Sequence, residues 1–151
     1  MNIRPAEESA VLRVASNMRE WDRREIYATR WIDDPASLAR DCIMVGGLSW
    51  VAGEDQPIAA VGAFPICPGV WSVWMFATPR FRRIARPLTD FVTGSMVPAL
   101  KAAGAHRAQC ESMVGHDMAH GWLRRLGARQ EGIQFGRGKG GEDFIMFAWE
   151  R

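Results

Sequence analysis

An apolar segment that ends in Thr-Pro and leads into a basic turn and a long amphipathic helix is the strongest constraint on the fold of this chain. Residues 70–77 are apolar almost throughout and lie between Gly69 and Pro79, which is typical of a buried strand. Thr78 before Pro79 predicts a helix start, because a hydroxyl caps the first turn and proline needs no N–H there. Apolar residues then recur at a helical spacing, at Leu88, Phe91, Val92, Met96, Ala99, Leu100 and Ala103. The turn between strand and helix presents unpaired N–H groups, a natural place for a phosphate.

The basic turn contains the densest charge cluster of the chain. Arg80, Arg82, Arg83 and Arg86 follow one another with no acidic residue before Asp90. Three interpretations stay open: a phosphate-binding site, a contact with an acidic protein or DNA surface, and a solvated helix start. Four positive charges at a helix N-terminus interact unfavourably with the helix dipole. Such an arrangement indicates that a negatively charged partner binds there.

Composition indicates a single domain over residues 1–151. The chain is 48% hydrophobic and 24% charged, with a formal net charge of +2, too small to indicate nucleic-acid binding by itself. No direct nucleic-acid motif is present. Cys42, Cys67 and Cys110 contain no CxxC pair, which favours reduced, buried thiols. No apolar signal segment begins the chain, and no run approaches the ~20 apolar residues of a membrane span.

The remaining segments predict a mixed α/β order. A short strand at Ile3 and Arg4 precedes helical patterns, of which the second, residues 21–29, carries Asp22, Arg23, Arg24 and Glu25 on a solvated face. A third helix runs from Asp34-Pro35 to near Arg40. Two apolar arms, 43–51 and 58–64, predict a hairpin, with Gly46-Gly47 as a bulge or close backbone approach. The later predicted segments are a kink at Pro98, a helix end at Gly104, a strand at 105–112, a helix at 117–126 and strands at 129–135 and 143–149. This order predicts a mixed, largely antiparallel sheet with helices on both faces.

This order of elements, the opening Ile-Arg-Pro-Ala and residues 122–132 resemble the GCN5-related N-acetyltransferase (GNAT) family over nearly the whole chain. Leu-Gly-Ala-x-x-Glu-Gly, at residues 126–132, is the most specific part. The resemblance implies that acetyl-CoA lies in a V-shaped gap between the fourth and fifth strands. It also implies that the end of the fourth strand, at Phe76, Ala77 and Thr78, holds the pantetheine arm.

The resemblance assigns the pyrophosphate to the turn that opens the next helix, with Arg80, Arg82, Arg83 and Ala85 as cofactor-binding residues. The family motif there is Arg/Gln-x-x-Gly-x-Gly/Ala. Arg80 and Ala85 fit it, but Arg83 stands at the middle glycine, where a side chain obstructs the approach of backbone amides. A guanidinium can still bind phosphate. The family's general-acid tyrosine is missing, since the only tyrosine is Tyr27. Both departures indicate a degenerate catalytic site.

Residues 114–128 resemble more closely a family of internal virion or head-core proteins of short-tailed phages, which look like derivatives of the acetyltransferase fold. This likeness implies a virion-associated assembly protein, in the virion or the host cytoplasm, that binds portal, adaptor or core components. It leaves homo-oligomers or ring copies open. Our first functional prediction is therefore such a virion protein. The alternatives are an active acetyl-CoA-dependent N-acetyltransferase and a CoA-binding sensor without catalysis.

Three further side chains are candidates for chemistry. Glu111, near the end of the fifth predicted strand, is the candidate catalytic base for an amine, with a strand-end cap or an arginine pair as the other interpretation. His116 and His120 are four residues apart on a predicted helix, which suits either a metal pair or ordinary surface histidines. No third ligand is evident, so no metal site is predicted. The same helix is predicted to turn Met118, Gly121, Trp122 and Leu126 inward. The loop at residues 136–141 is predicted to be a flexible hairpin tip, because it lacks the spacing of a phosphate-binding loop.

Overall fold

The computed structural model describes residues 1–44 and 46–150, which form a seven-stranded sheet in the order β1-β2-β3-β4-β5-β7-β6. The strands are β1 Asn2–Pro5, β2 Leu48–Gly53, β3 Pro57–Cys67, β4 Val70–Ala77, β5 Arg107–Met113, β6 Arg129–Gln134 and β7 Phe144–Glu150. The α-helices are α1 Glu8–Ala15, α2 Glu20–Ala28, α3 Pro35–Met44, α4 Ala85–Phe91, α5 Val97–Ala102 and α6 Asp117–Arg125. Neighbouring strands pair antiparallel except β4 and β5, which are parallel. The predicted mixed sheet is confirmed.

Helices cover both faces of the sheet, because successive side chains of a strand point to opposite sides. On one face Phe76 packs with Val11 and Val14 of α1 and Leu38 of α3. On the other face its neighbour Ala77 lies in the core with Ile84 and Leu88 at the start of α4. The end of β4 is therefore buried on both sides, and only its edge toward β5 is left for other contacts.

The segment between α3 and β2 differs from the prediction. α3 continues to Met44 instead of ending near Arg40, and β2 begins at Leu48 instead of residue 43. Cys42 and Ile43 pack against the core from α3; a short apolar run suits a helix and a strand equally well, which explains the error. Of the predicted arm, Val45 lies outside the described residues. The close approach at Gly47 is confirmed, since a Cβ there would lie 1.9 Å from the carbonyl oxygen of Ala63.

The connection after β4 begins as predicted and then changes helical type. Thr78 Oγ1 accepts a hydrogen bond of 3.3 Å from Arg80 N, which confirms the cap. The first segment is a 3₁₀ helix at Pro79–Arg83, and a π-helical stretch at Val92–Met96 separates α4 from α5. Pro98 lacks the N–H that an α-helix would need at this point, so the helix departs from α geometry next to it. Gly104 closes the segment at φ +93°.

The inward face of helix α6 agrees with the prediction only in part, since Trp122 and Leu126 pack against the core but Met118 does not. Met118 is 61% exposed instead of facing inward. Two histidines are buried instead of Met118. His116 lies just before the helix and is 2% exposed, and His120 lies within it and is 4% exposed. Trp122 is partly buried as predicted and packs edge-on against Phe81, with 6.1 Å between ring centroids. Among the described residues, no helix has both the length and the apolar composition needed to cross a membrane.

Candidate functional site

Strands β4 and β5 part soon after they begin. Only residues 70–72 of β4 pair with residues 107–109 of β5, although β4 continues to Ala77 and β5 to Met113. This parting is the V-shaped gap that the family resemblance implies. A cavity of about 560 Å³ lies at the gap, with walls from both strands, from α2 and α6, and from the helical segments after β4. A slot of this kind can hold an extended, partly apolar ligand between the two strands.

The helices after β4 supply an apolar wall of the cavity. Val92 and Met96 of the π-helical stretch line it together with Leu100 of α5, and Trp122 of α6 lines it as well. π-Helical insertions are frequent at functional sites. Thr89 accepts a hydrogen bond of 2.8 Å from Trp122 Nε1, which fixes the indole against α4.

The wide end of the gap is occupied by side chains of α2. Asp22 Oδ2 accepts a hydrogen bond of 2.9 Å from Ala77 N, and Arg19 N donates one of 2.8 Å to the carbonyl oxygen of Ala77. Thr78 N instead bonds to Ile58 O of β3. Since backbone groups alternate along a strand, Phe76 also turns its amide toward β3. Of the three residues predicted to hold pantetheine, only Ala77 faces the gap, and its backbone groups are already bonded.

Asp22 is buried although its place on α2 predicted a solvated face. Its side chain is 3% exposed, and Arg19 holds the carboxylate with two hydrogen bonds of 3.0 Å. Burial raises the pKa of Asp22, and the Arg19 charge and the Ala77 N–H oppose that rise. The ionised form of the Asp22 carboxyl is therefore stabilised by Arg19 and by the Ala77 N–H against the cost of burial.

A second carboxylate of α2, the partly buried Glu25, reaches β5 and the start of α6. Its Oε1 accepts hydrogen bonds from Ser112 Oγ at 2.6 Å and from Met113 N at 2.5 Å. The same oxygen lies 3.2 Å from His116 Nδ1, and His116 Nε2 lies 3.5 Å from Asp22 Oδ1. Asp22, His116 and Glu25 thus form a polar bridge from the end of β4 to the end of β5.

The prediction that His116 and His120 are surface residues is wrong. His116 stacks on Trp21 with ring centroids 5.4 Å apart, and His120 Nε2 lies 3.1 Å from Ser112 Oγ. Burial lowers the pKa of His120. Within residues 1–44 and 46–150, no group of three or more His, Cys, Asp or Glu side chains is placed to hold a metal ion. The spacing of His116 and His120 with Leu123, four and three residues apart, is the sequence signal that could have placed them on one inner face.

Glu111 lines the cavity and is held by an arginine, the second interpretation given above. Arg137 donates to its two carboxylate oxygens at 3.0 and 2.8 Å, and the Glu111 side chain is 26% exposed. Arg137 comes from the loop between β6 and β7, which joins two strands as predicted. Lys139 of the same loop bonds through its N–H to Ala28 O at 2.7 Å and through Nζ to Arg30 O at 2.9 Å. The loop is therefore anchored on the C-terminal end of α2 and is not a free tip.

The basic turn presents fewer free amides than its sequence predicted. In the 3₁₀ helix and at its end, Phe81 N bonds to Thr78 O and Ile84 N to Phe81 O, while Arg80 N bonds to the Thr78 side chain. Acidic residues of the β2–β3 turn also reach the cluster: Arg80 Nη2 lies 3.3 Å from Asp55 Oδ1, and Arg83 Nε lies 3.4 Å from Glu54 Oε1. Phosphate binding here would rest mainly on guanidinium groups, because the amides of Arg80, Phe81 and Ile84 are already bonded.

No protein-family model matches this chain. No curated protein matches it either. Solved structures do match over the full length. The ribosomal-protein-alanine N-acetyltransferase from Brucella melitensis superposes with a TM-score of 0.75 at 16% identity and covers 100% of both chains. The aminoglycoside 6′-acetyltransferase type Ii gives 0.74 at 14% identity, with 99% of this chain and 97% of that chain covered.

A third match is an acyltransferase solved with coenzyme A. The ribosomal L7/L12 α-N-protein acetyltransferase RimL superposes with a TM-score of 0.75 at 14% identity, covering 98% of this chain and 92% of that one. The chain therefore has the GNAT acetyltransferase fold, as predicted. Nothing in these comparisons supports the phage virion family, and the predicted particle partners stay an untested expectation.

Proposed function

We propose that this protein is an N-acetyltransferase that uses acetyl-CoA to acylate an amine. The observation that carries the proposal is the parting of β4 and β5 after three paired residues, next to a cavity of about 560 Å³. Support also comes from full-length structural likeness to acetyltransferases, one of them in complex with coenzyme A. The enzyme alternative is thus better supported than the virion role that we placed first on sequence.

The residues in the gap fit the pantetheine arm in part. Met75 lies two residues before Ala77, so its N–H and C=O point to the same edge, toward the gap. Met75 also lines the cavity. An extended ligand with amide groups can pair with this edge as a further strand would. At Ala77 the same pairing requires that the bonds to Arg19 and Asp22 be exchanged for ligand bonds.

The phosphate end fits through side chains. Arg82 is exposed in the 3₁₀ helix that follows β4, while Arg80 and Arg83 reach exposed acids that water and phosphate can compete for. One guanidinium group can donate two parallel hydrogen bonds to two oxygens of a phosphate. Arg83 occupies the position of the middle glycine in the family motif. Its guanidinium can therefore bind phosphate in place of the backbone amides that the glycine would expose.

Bound acetyl-CoA would supply an acyl group activated as a thioester. The protein must bring the acceptor amine to it as a free base, which requires a proton acceptor in the gap. Glu111 is our candidate, because its carboxylate lines the cavity and retains lone pairs beyond its two bonds with Arg137. Arg137 holds the carboxylate in a fixed orientation and thereby positions it.

A transfer assay tests this function. The protein is incubated with acetyl-CoA and a panel of amines, and mass spectrometry follows the gain of one acetyl group while a thiol reagent follows release of CoA. The panel takes its classes from the matched enzymes: peptides with a free N-terminus and aminoglycosides. Transfer to one class, weakened by Arg82→Ala but not by Arg13→Ala, is expected, since Arg13 is an exposed arginine on α1. If acetyl-CoA is not bound and no amine is acetylated, the proposal fails.

A further inference from the structure

The first turn of α2, with Arg19 just before it, hydrogen-bonds to the backbone N–H and C=O of Ala77. Arg19 N donates to the carbonyl oxygen of Ala77 at 2.8 Å, and Ala77 N donates to Asp22 Oδ2 at 2.9 Å. One donor and one acceptor thus meet the two groups of Ala77 that face the gap. An extended ligand pairing with β4 would offer the same pair of groups.

This turn is held at the wide end of the gap by further contacts. The guanidinium carbon of Arg19 lies 4.7 Å above the ring of Phe81 in the basic turn. On the other side, His116 lies between Asp22 and Glu25, and Glu25 bonds to β5 at Ser112 and Met113. The α2 turn, residues 19–22, is thereby connected to both strands that border the gap.

The charge of this turn matters for an anionic ligand. Asp22 places a buried carboxylate at the end of β4 that leads into the basic turn. A carboxylate near phosphates opposes their binding, and more strongly where water is excluded. In the present arrangement the wide end is occupied, and the paired Arg19 guanidinium offsets the charge of the Asp22 carboxylate there.

We propose that residues 19–22 form an autoinhibitory strap that competes with acetyl-CoA for the backbone of Ala77, an inference that rests on the proposed function. Acetyl-CoA then binds only to molecules in which the strap has left Ala77. Its observed affinity is the intrinsic affinity reduced by the fraction of open molecules. Any interaction that moves residues 19–22 away from Ala77 therefore activates the enzyme.

Two variants test the competition by calorimetric titration with acetyl-CoA. Asp22→Ala removes the acceptor for Ala77 N and the buried carboxylate, so at least fivefold tighter binding than wild type is expected. Glu20→Gln is the matched control, because Glu20 lies on the same turn and its exposed carboxylate pairs with Arg23. The control is expected to bind as wild type does.

Hydrogen exchange on the wild-type protein gives a second test that needs no variant. Acetyl-CoA is expected to speed exchange in a peptide over residues 16–24, while a peptide over residues 8–15 of α1 stays unchanged. Slower exchange in residues 16–24 would mean that the strap closes on the ligand, and the proposal would be wrong.

The outcomes separate the strap from the proposed function. Equal or weaker binding by Asp22→Ala, with wild type still binding, overturns the strap and leaves the acetyltransferase function in place. If neither wild type nor Asp22→Ala binds acetyl-CoA, the proposed function fails and the strap has no ligand to compete with. If Asp22→Ala does not fold, the exchange measurement on wild type decides.

Discussion

The backbone N–H of Ala77 at the end of β4 donates a hydrogen bond to the carboxylate of Asp22 on α2, 55 residues away in the chain. The contact closes the wide end of the gap between β4 and β5. The narrow part of the gap adjoins a cavity and presents the free edge of Met75. The protein therefore combines the fold of an acetyltransferase with an α2 turn placed where the coenzyme arm is expected.

Loss of the Asp22 carboxylate should destabilise the fold. Asp22→Ala leaves the partly buried Arg19 guanidinium unpaired and the Ala77 N–H without an acceptor, so a loss of about 3 kcal/mol is expected. The free energy of unfolding in urea measures it. Glu20→Gln removes only an exposed pair and should change stability by less than about 1 kcal/mol. Equal losses in both variants would contradict the buried role of Asp22.

Stability should depend on pH through His120. Burial puts its folded-state pKa below the value of 6.5 that applies to the unfolded chain. As pH falls through 6.5, the unfolded chain takes up the proton first, so stability decreases until the folded pKa is reached and then levels off. Urea unfolding from pH 7.5 to 5 should therefore show a smaller decrease for His120→Gln than for wild type. His106→Gln, at an exposed histidine, should follow wild type; identical curves for all three would contradict the prediction.

The three cysteines should differ in reactivity toward iodoacetamide. Burial raises the pKa of both Cys42 and Cys110 to about 12, so their thiolates are scarce at neutral pH. Cys67 is exposed at the end of β3. Mass spectrometry after brief treatment at pH 8 should find Cys67 modified, and the other two only after urea is added. Early modification of Cys110 would mean that the gap is more open than described.

Glu111 should affect catalysis more than folding. Glu111→Gln keeps a side chain of the same size but removes the proton acceptor, so kcat should fall about 100-fold while acetyl-CoA affinity stays within about twofold. Glu131→Gln is the control, since Glu131 pairs with Arg107 near the start of β5. Turnover of Glu111→Gln close to that of wild type would remove Glu111 from the mechanism and direct attention to Glu25, which also lines the cavity.

Local sequence signals located β4 but misplaced the start of β2. Gly69 and Pro79 bracket β4, and its bounds at Val70 and Ala77 agree with the prediction. Gly46-Gly47 lies between α3 and β2, but we interpreted it as a bulge within one strand, because the apolar residues 42–44 suit either a helix or a strand. Tertiary packing decides for α3. Glycine and proline thus located β4 correctly, whereas the glycine pair before β2 did not by itself show whether it interrupts a strand or ends a helix.

The site was only partly predictable because its contacts are distant in sequence. Glu25 bonds to Ser112, 87 residues later, and nothing in the charged stretch of residues 22–25 distinguishes a carboxylate that faces the sheet from a solvated one. The acids that pair with Arg80 and Arg83 come from the β2–β3 turn, which the spacing within the basic turn does not reveal. The family resemblance predicted the gap, whereas the polar bridge of Asp22, His116 and Glu25 across it was visible only in the structure.

Acetyl-CoA binding to the wild-type protein tests the central claim most directly. The protein is titrated calorimetrically, and its thermal unfolding is followed with and without saturating ligand. We expect measurable heat and, at 100 times the dissociation constant, stabilisation by about 2.7 kcal/mol. No heat and no shift in unfolding temperature at millimolar acetyl-CoA would contradict the account, and the gap would then have to be assigned to another ligand.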